Sequence, residues 1–341
     1  MTISTSHVTQ SKQIVLASRP DGIPTTENFR SSIAKLTPIA DGEFLVKNQW
    51  MSVDPYMRGR MKEGDSYVKP FQIDEPLEGG CVGEVVESRN SNFNVGDMVL
   101  GNLGWREYWK SSGDGATIVD ASLVPPQTYL GVLGMTGMTA WVGVNEIAKL
   151  RSGSTVFVSA ASGAVGSIVV QLAKAKGCRV IGSAGHSDKI AWLQGKTKID
   201  AVINYKGTDD LLRDLSRAAP DGIDLYFDNV GGDHLEAALE VMNDFGCCVE
   251  CGMISTYNAT EPPAAPRNLI KVIGKRIRMQ GFIVRDHMNL RGKFVDDMVP
   301  LIKSNQIVWE ESVVDGIENA AAAFIGLFSG NNLGKQLVHI S

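Results

Sequence analysis

The feature that most constrains this sequence is an alternation. From about Leu130 onward, short apolar runs of strand length take turns with segments whose apolar residues recur at helical spacing. Strands are predicted at Thr155–Ser159, Arg179–Gly182, Ala201–Asn204, Ile223–Asp228, Cys247–Gly252 and Arg276–Phe282. A helix is predicted over Met138–Leu150. After the first strand and a glycine turn, Ile168, Val169, Leu172, Ala173 and Ala175 mark another. Such a series is the sequence form of an α/β doubly wound parallel sheet. Residues 1–130 read differently, as short strands at Lys12–Ala17, Phe44–Val53, Gly80–Ser88, Asp97–Gly101 and Arg106–Lys110, broken by turn residues and with no long amphipathic helix. Two domains are expected in 341 residues: a β-rich unit of residues 1–130, completed by a tail over 311–341, and an α/β unit over 131–310.

The sharpest local signal lies between Thr155 and Gly166, where a buried strand runs through Ser159-Ala-Ala-Ser into Gly163-Ala164-Val165-Gly166 and opens a helix. Glycines there let backbone approach a pyrophosphate, whose charge is stabilised by the N–H groups at the helix start. The first glycine of the usual G-x-G-x-x-G is Ala161 here, and a G-x-x-G alone is weak; the strand, the helix and the βαβ series around it make the case for a dinucleotide site. An NAD site usually carries an acid at the end of the second strand. This chain has Ile181-Gly-Ser-Ala-Gly-His186 instead, with Lys189 just beyond and Asn204-Tyr205-Lys206 ending the next strand. A lysine and a phenol hydroxyl suit the 2′-phosphate of NADPH.

Five cysteines, at 81, 178, 247, 248 and 251, form no disulfide framework in a chain of this length. Cys247, Cys248 and Cys251 lie in a sequence that reads as a buried strand, whose alternation aims the thiols in opposite directions. The histidines at 7, 186, 234, 287 and 339 lack paired metal spacing, so no metal is expected. A net charge of −5 gives no reason to expect nucleic acid or an anionic membrane as partner. The N-terminus lacks the apolar core of a secretory signal, and no run approaches the roughly 20 apolar residues of a span; a cytoplasmic location is expected. Trp50, Trp105, Trp141 and Trp192 are expected to fill core or interface, Asp228 to shape a turn or cap a helix, and 261–267 (EPPAAPR) to form a loop, a plausible flap beside the site.

Eight separated segments, in order, carry a resemblance. They are Val53-Asp-Pro-Tyr56-Met-Arg-Gly-Arg60-Met, Leu133-Gly-Met135-Thr-Gly-Met-Thr139-Ala, Ala160-Ala-Ser-Gly-Ala-Val-Gly166, Asn204-Tyr205-Lys, Tyr226-Phe-Asp-Asn229-Val-Gly-Gly232, Cys251-Gly-Met-Ile-Ser-Thr-Tyr257-Asn258, Gly281-Phe-Ile-Val284 and Asn332-Leu-Gly-Lys335. The chain resembles, over nearly its whole length, the zinc-free medium-chain dehydrogenase/reductases of the prostaglandin reductase, alkenal double-bond reductase and curcumin reductase group. Zinc relatives carry G-H-E-x-x-G where this chain reads Glu78-Gly79-Gly80-Cys81-Val82-Gly83. The resemblance implies a GroES-like N-terminal domain joined by the C-terminal tail, a Rossmann domain between them, and substrate in the cleft between the two. It implies Gly163–Gly166 on the pyrophosphate, Lys189 and Tyr205 on the 2′-phosphate, and Asn229, Gly252, Ser255, Tyr257, Phe282 and Asn332 along the nicotinamide half. Tyr56 and Tyr257 would face substrate, and a homodimer would form through the Rossmann domain. Arg285-Asp286-His287 departs from the more aromatic mammalian pattern, so the acceptor pocket is expected to differ.

The implied activity is NADPH-dependent hydride transfer to the β-carbon of an α,β-unsaturated ketone or aldehyde. Without metal, a hydrogen-bond donor must meet the charge developing on the carbonyl oxygen, and Tyr257 with the cofactor ribose hydroxyl is the expected donor. The α-proton could come from Tyr257 or from water. Tyr257 could also be a loop tyrosine that only packs, and Tyr56 a turn residue after Asp54-Pro55. Quinone reduction on the same scaffold and a non-enzymatic NADPH-binding role are the alternatives that these residues leave open.

Overall fold

The computed structural model describes residues 8–122 and 124–340. The described residues divide into two compact units: 8–122, 124–130, 312–331 and 336–340 in one, and 131–311 and 332–335 in the other. His7 lies outside the described residues.

The main sheet of the first unit has seven strands among the described residues. Glu311–Asp315, Lys335–His339, Phe44–Ser52, Cys81–Ser88, Met98–Gly101 and Thr117–Ile118 follow one another across the sheet, and Tyr108–Ser111 pairs with Phe44–Ser52. The tail strand runs antiparallel to Phe44–Ser52, with Val338 opposite Met51. A separate hairpin pairs Gln10–Leu16 with Phe29–Lys35. The strand Phe29–Lys35 (FRSSIAK) lies outside the strands expected from sequence. It presents mostly exposed polar side chains and has no apolar alternation; its register against Gln10–Leu16 makes it a strand. Phe44, Met51, Met57, Trp105 and Phe324 are fully buried in the core of this unit, where Phe29 stacks on Trp105.

In the second unit six parallel strands lie in the order Ala201–Asn204, Arg179–Ala184, Thr155–Val158, Ile223–Asp228, Met242–Glu250, Arg278–Gly281. The order reverses between Thr155–Val158 and Ile223–Asp228, which makes their carboxyl ends the switch point where open α/β sheets bind ligands. The helix expected over Met138–Leu150 runs over Met135–Val142 and then widens into a π-turn at Gly143–Ile147. Packing there is close: a Cβ on Gly143 would lie 2.4 Å from the Phe227 ring. Trp141 is buried and donates to Asp297, while Trp50 and Trp192 are half-buried.

Asn48 ties the first unit together from a fully buried position. Its amide donates to the carbonyls of Leu103 and Arg106 (3.1 and 2.8 Å), and its oxygen accepts from Trp109 Nε1 at 2.8 Å. Asn48→Leu would leave two carbonyls and an indole N–H buried without partners, each worth about 1–3 kcal/mol. Denaturant unfolding is expected to show a loss of at least ~3 kcal/mol for this variant; a loss below ~1 kcal/mol would mean the loop around Leu103 is held by packing alone.

Candidate functional site

The turn after Thr155–Val158 is shaped by Ala160, whose φ of 48° is left-handed, and by two glycines with different duties. At Gly166, the first residue of the helix Gly166–Ala175, a Cβ would lie 2.3 Å from the Ala160 carbonyl oxygen, so the helix can approach the strand only through glycine. At Gly163 a Cβ would meet only that same oxygen, at 3.2 Å, and otherwise open space. The space above the turn is therefore one that side chains leave clear. The first N–H groups of a helix have no partner within it. Ala164 and Val165 lead into that first turn, an arrangement that could receive an anion. Residues 332–335 run beside it: Gly163 and Gly334 form a bridge, Gly334 N–H donates to Ser162 O at 2.9 Å, and Asn332 Nδ2 donates to Gly334 O at 2.8 Å. Asn332 is thus brought to the turn at Ser162–Gly163.

The second and third strands end beside each other, with Asn204 opposite Ala184. The segments leaving the two strand ends therefore meet. Tyr205 and Lys206 lie over Gly185, where a Cβ would come within 3.0 Å of both side chains. His186 Nε2 lies 3.1 Å from Lys206 Nζ. Lys189, in the helix Ser187–Lys196, is half-buried. Burial holds its pKa below the ordinary lysine range against the pull of Asp188, and Lys206 lowers it further. Burial also raises the Tyr205 phenol. The Tyr205 ring stands edge-on to His234 at 5.0 Å. Burial lowers His234 to about 4, and its Nε2 lies 3.0 Å from Ser183 Oγ. The cluster has a surplus of positive charge, as an anion site requires. His186 and Lys206 belong to it although sequence reasoning gave them no role; the available signal was Lys206 directly following Tyr205.

Across the switch point, Asn229 donates from its backbone to Ser159 Oγ (2.9 Å) and from Nδ2 to Ser159 O (2.8 Å). Asp228 Oδ1 accepts from Val230 N and Gly231 N at 2.8 Å, the turn-shaping role expected of it. Ser255 Oγ donates to Val230 O. Tyr257 turns back over its own loop: its hydroxyl accepts from Met253 N–H at 3.3 Å, and a Cβ on Gly252 would lie 2.8 Å from that oxygen. Asn229, Gly252, Ser255 and Tyr257 are therefore brought together. Phe282 comes directly after the last strand, against Gly143 and His287. Residues 261–267 form a loop, whose Arg267 pairs with Glu236 at 2.9 Å.

Tyr56 belongs to the first unit, half-buried against its core. Its neighbours Arg58 and Arg60 are buried and structural. Arg58 donates to Gly22 O at 2.8 Å; Arg60 pairs with Glu78 at 2.7 Å and lies over the Phe71 ring. At Gly79, where zinc relatives carry histidine, a Cβ would come 2.4 Å from Met57 Cε. Cys247 and Cys248 are buried, and burial raises every one of the five thiols. Among the described residues, no group of three or more His, Cys, Asp or Glu is placed to hold a metal ion. None of the described helices is long and apolar enough to cross a membrane.

Residues 12–119 match the family model described as the N-terminal domain of oxidoreductase, and residues 164–304 the one described as zinc-binding dehydrogenase. An NADP(+)-dependent 2-alkenal reductase of Nicotiana tabacum is 43% identical over 335 residues, covering 97% of both chains. An NADPH-dependent curcumin reductase of Escherichia coli is 40% identical over 337 residues, again 97% of both. The crystal structure of CurA from Vibrio vulnificus in complex with NADPH is 41% identical, superposes with a TM-score of 0.92, and is matched over 97% of this chain and 99% of that one. With this fold, this switch-point loop and full-length relatives at 40% identity or more, the chain belongs to the medium-chain dehydrogenase/reductase family, in the group of the alkenal, curcumin and prostaglandin reductases.

Proposed function

We propose that this chain is an NADPH-dependent reductase of the carbon–carbon double bond of α,β-unsaturated ketones and aldehydes. The observation that carries the cofactor choice is the pair of lysines, Lys189 and Lys206, beside His186 and Tyr205, in the place where NAD enzymes keep an acid. The reaction class is supported by full-length likeness to reductases named for alkenals and curcumin. Bound NADPH supplies a hydride for the substrate β-carbon.

The chain's own residues bind and orient. Gly163, Ala164, Val165 and Gly166 receive the pyrophosphate, and Lys189 and Tyr205 the 2′-phosphate. Asn229, Gly252, Ser255, Phe282 and Asn332 flank the nicotinamide half. Tyr257 donates a hydrogen bond to the carbonyl oxygen as charge develops on it. A phenol can accept one bond, here from Met253 N–H, and donate another. Tyr56 lines the acceptor pocket. The role is metal-independent, since Gly79 and Gly80 replace the metal-binding pair and Met57 crowds the position beside Gly79. We assign the protein to the cytoplasm, as a homodimer paired through the Rossmann domain.

The decisive assay follows NADPH consumption with an aliphatic enal or enone, beside NADH and a benzoquinone. Rapid oxidation with the enone and NADPH, and little with NADH, is the expected result. Oxidation with the quinone alone would overturn the reaction class. Lys189→Ala is expected to weaken NADPH binding about tenfold or more while leaving NADH binding unchanged; equal losses for both cofactors would remove Lys189 from the 2′-phosphate. Tyr257→Phe is expected to lower turnover by ~10- to 100-fold, because the ribose hydroxyl still serves the oxyanion. Unaltered turnover in that variant would exclude Tyr257 from the chemistry.

A further inference from the structure

Asp228 and Glu250 end two adjacent parallel strands and are register partners. Asp228 is fully buried. Its Oδ1 collects four donors: Tyr226 Oη at 2.7 Å, Val230 N and Gly231 N at 2.8 Å, and Ser159 Oγ at 3.2 Å. Its Oδ2 and both carboxyl oxygens of Glu250 are buried with no hydrogen-bond partner among the described residues. A single proton shared between the two carboxyl groups would give two of these three buried oxygens a partner. Two carboxylates side by side in apolar surroundings do not both ionise.

Among the described residues, no cation figures in the influences on Glu250. Tyr226 faces the pair from its own strand, Cys247 and Cys248 from the neighbouring one, and Cys251 from the loop beyond; burial and the two carboxylates keep Tyr226, Cys248 and Cys251 neutral. Arg278 on the next strand acts on Cys247, its register partner. Burial first, and then Asp228, push Glu250 up to about 8.

We propose that Glu250 carries a proton and donates it to Asp228 Oδ2, and that this acid–carboxylate pair is the positioning element for the loops Asn229–Gly231 and Cys251–Tyr257. The proton belongs on Glu250 because Asp228 already accepts four donors that favour its ionised form, whereas Glu250 accepts none. Loop control comes from the bonds radiating from Asp228. Its side chain holds Val230 and Gly231, and its backbone oxygen accepts from Cys251 N and Gly252 N at 3.0 Å. Asn229 O and Val230 O in turn accept from Ile254 N and Ser255 N. A displaced Asp228 would move Asn229, Gly252 and Ser255 together. The positioning role rests on the reductase reading above; the shared proton does not.

The test compares wild type, Glu250→Gln and Glu250→Leu in melting temperature and NADPH dissociation constant across about pH 6 to 9. A carboxyl whose folded pKa is raised contributes stability that is complete below its unfolded value, near ~4.3, and lost as pH rises through about 8. Wild type is therefore expected to lose melting temperature toward pH 9, and NADPH affinity by at least about threefold, relative to Glu250→Gln, which donates without titrating. Glu250→Leu, with no donor, is expected to bind NADPH about tenfold more weakly than Glu250→Gln throughout. Parallel pH profiles for wild type and Glu250→Gln would overturn the shared proton. Equal NADPH affinity in the glutamine and leucine variants would overturn its positioning role. If wild type reduces no enone but the melting difference holds, the reductase reading falls and the shared proton stands.

Discussion

Four donors on a single carboxylate oxygen, Asp228 Oδ1, hold the switch point of the parallel sheet in one shape. They come from the first strand's loop (Ser159), from the strand itself (Tyr226) and from the turn after it (Val230 and Gly231). A buried carboxylate so supplied is stabilised where an unsupplied one would be expelled or protonated. Because Asn229 also closes onto Ser159 from both its backbone and its side chain, the two strand ends are fastened from both sides. Every residue proposed for the nicotinamide half, apart from Phe282 and Asn332, hangs from this knot within one or two hydrogen bonds.

Glycine placement explains why the knot sits next to usable space. Gly166 brings the helix against Ala160, Gly252 leaves room for the Tyr257 hydroxyl, and Gly185 lets Tyr205 and Lys206 fold over the second strand's end. In the other unit the same device works in the opposite sense. At Gly79 a Cβ would meet Met57 Cε at 2.4 Å and the Trp105 indole nitrogen at 3.5 Å, so the position that zinc relatives use for a ligand lies against a core. Under the metal-independent reading proposed above, polarisation of a carbonyl would come from hydrogen bonds, whose strength depends on exclusion of water and fixed orientation.

Much of this was legible in the sequence because strand–turn–helix units are local. The phosphate loop, the missing acid after the second strand and the succession of parallel strands are written in spacing and residue type. Contacts made across strands were not legible. His186 and Lys206 meet only because Asn204 lies opposite Ala184. Glu250 sits inside GCCVECG, which reads as apolar core, and its acid becomes notable only when register places it against Asp228. The strand Phe29–Lys35 carries too few apolar residues to announce itself, since its backbone pairing with Gln10–Leu16 makes it. The close approach of Gly143 to the Phe227 ring, likewise, joins residues distant in sequence.

Charge in the second unit is sorted across the sheet in a way that the net value of −5 conceals. Positive side chains gather beyond the second and third strands, while the two acids beyond the fourth and fifth are buried and withheld from solvent. Screening by salt confines exposed charges to about 10 Å or less, so the local cluster governs an arriving anion more than the overall sign does. Keeping the buried acids at no more than one negative charge serves the same end. A second uncompensated carboxylate in that low-dielectric interior would be poorly screened, and would oppose the anionic ligand proposed for the ends of the second and third strands.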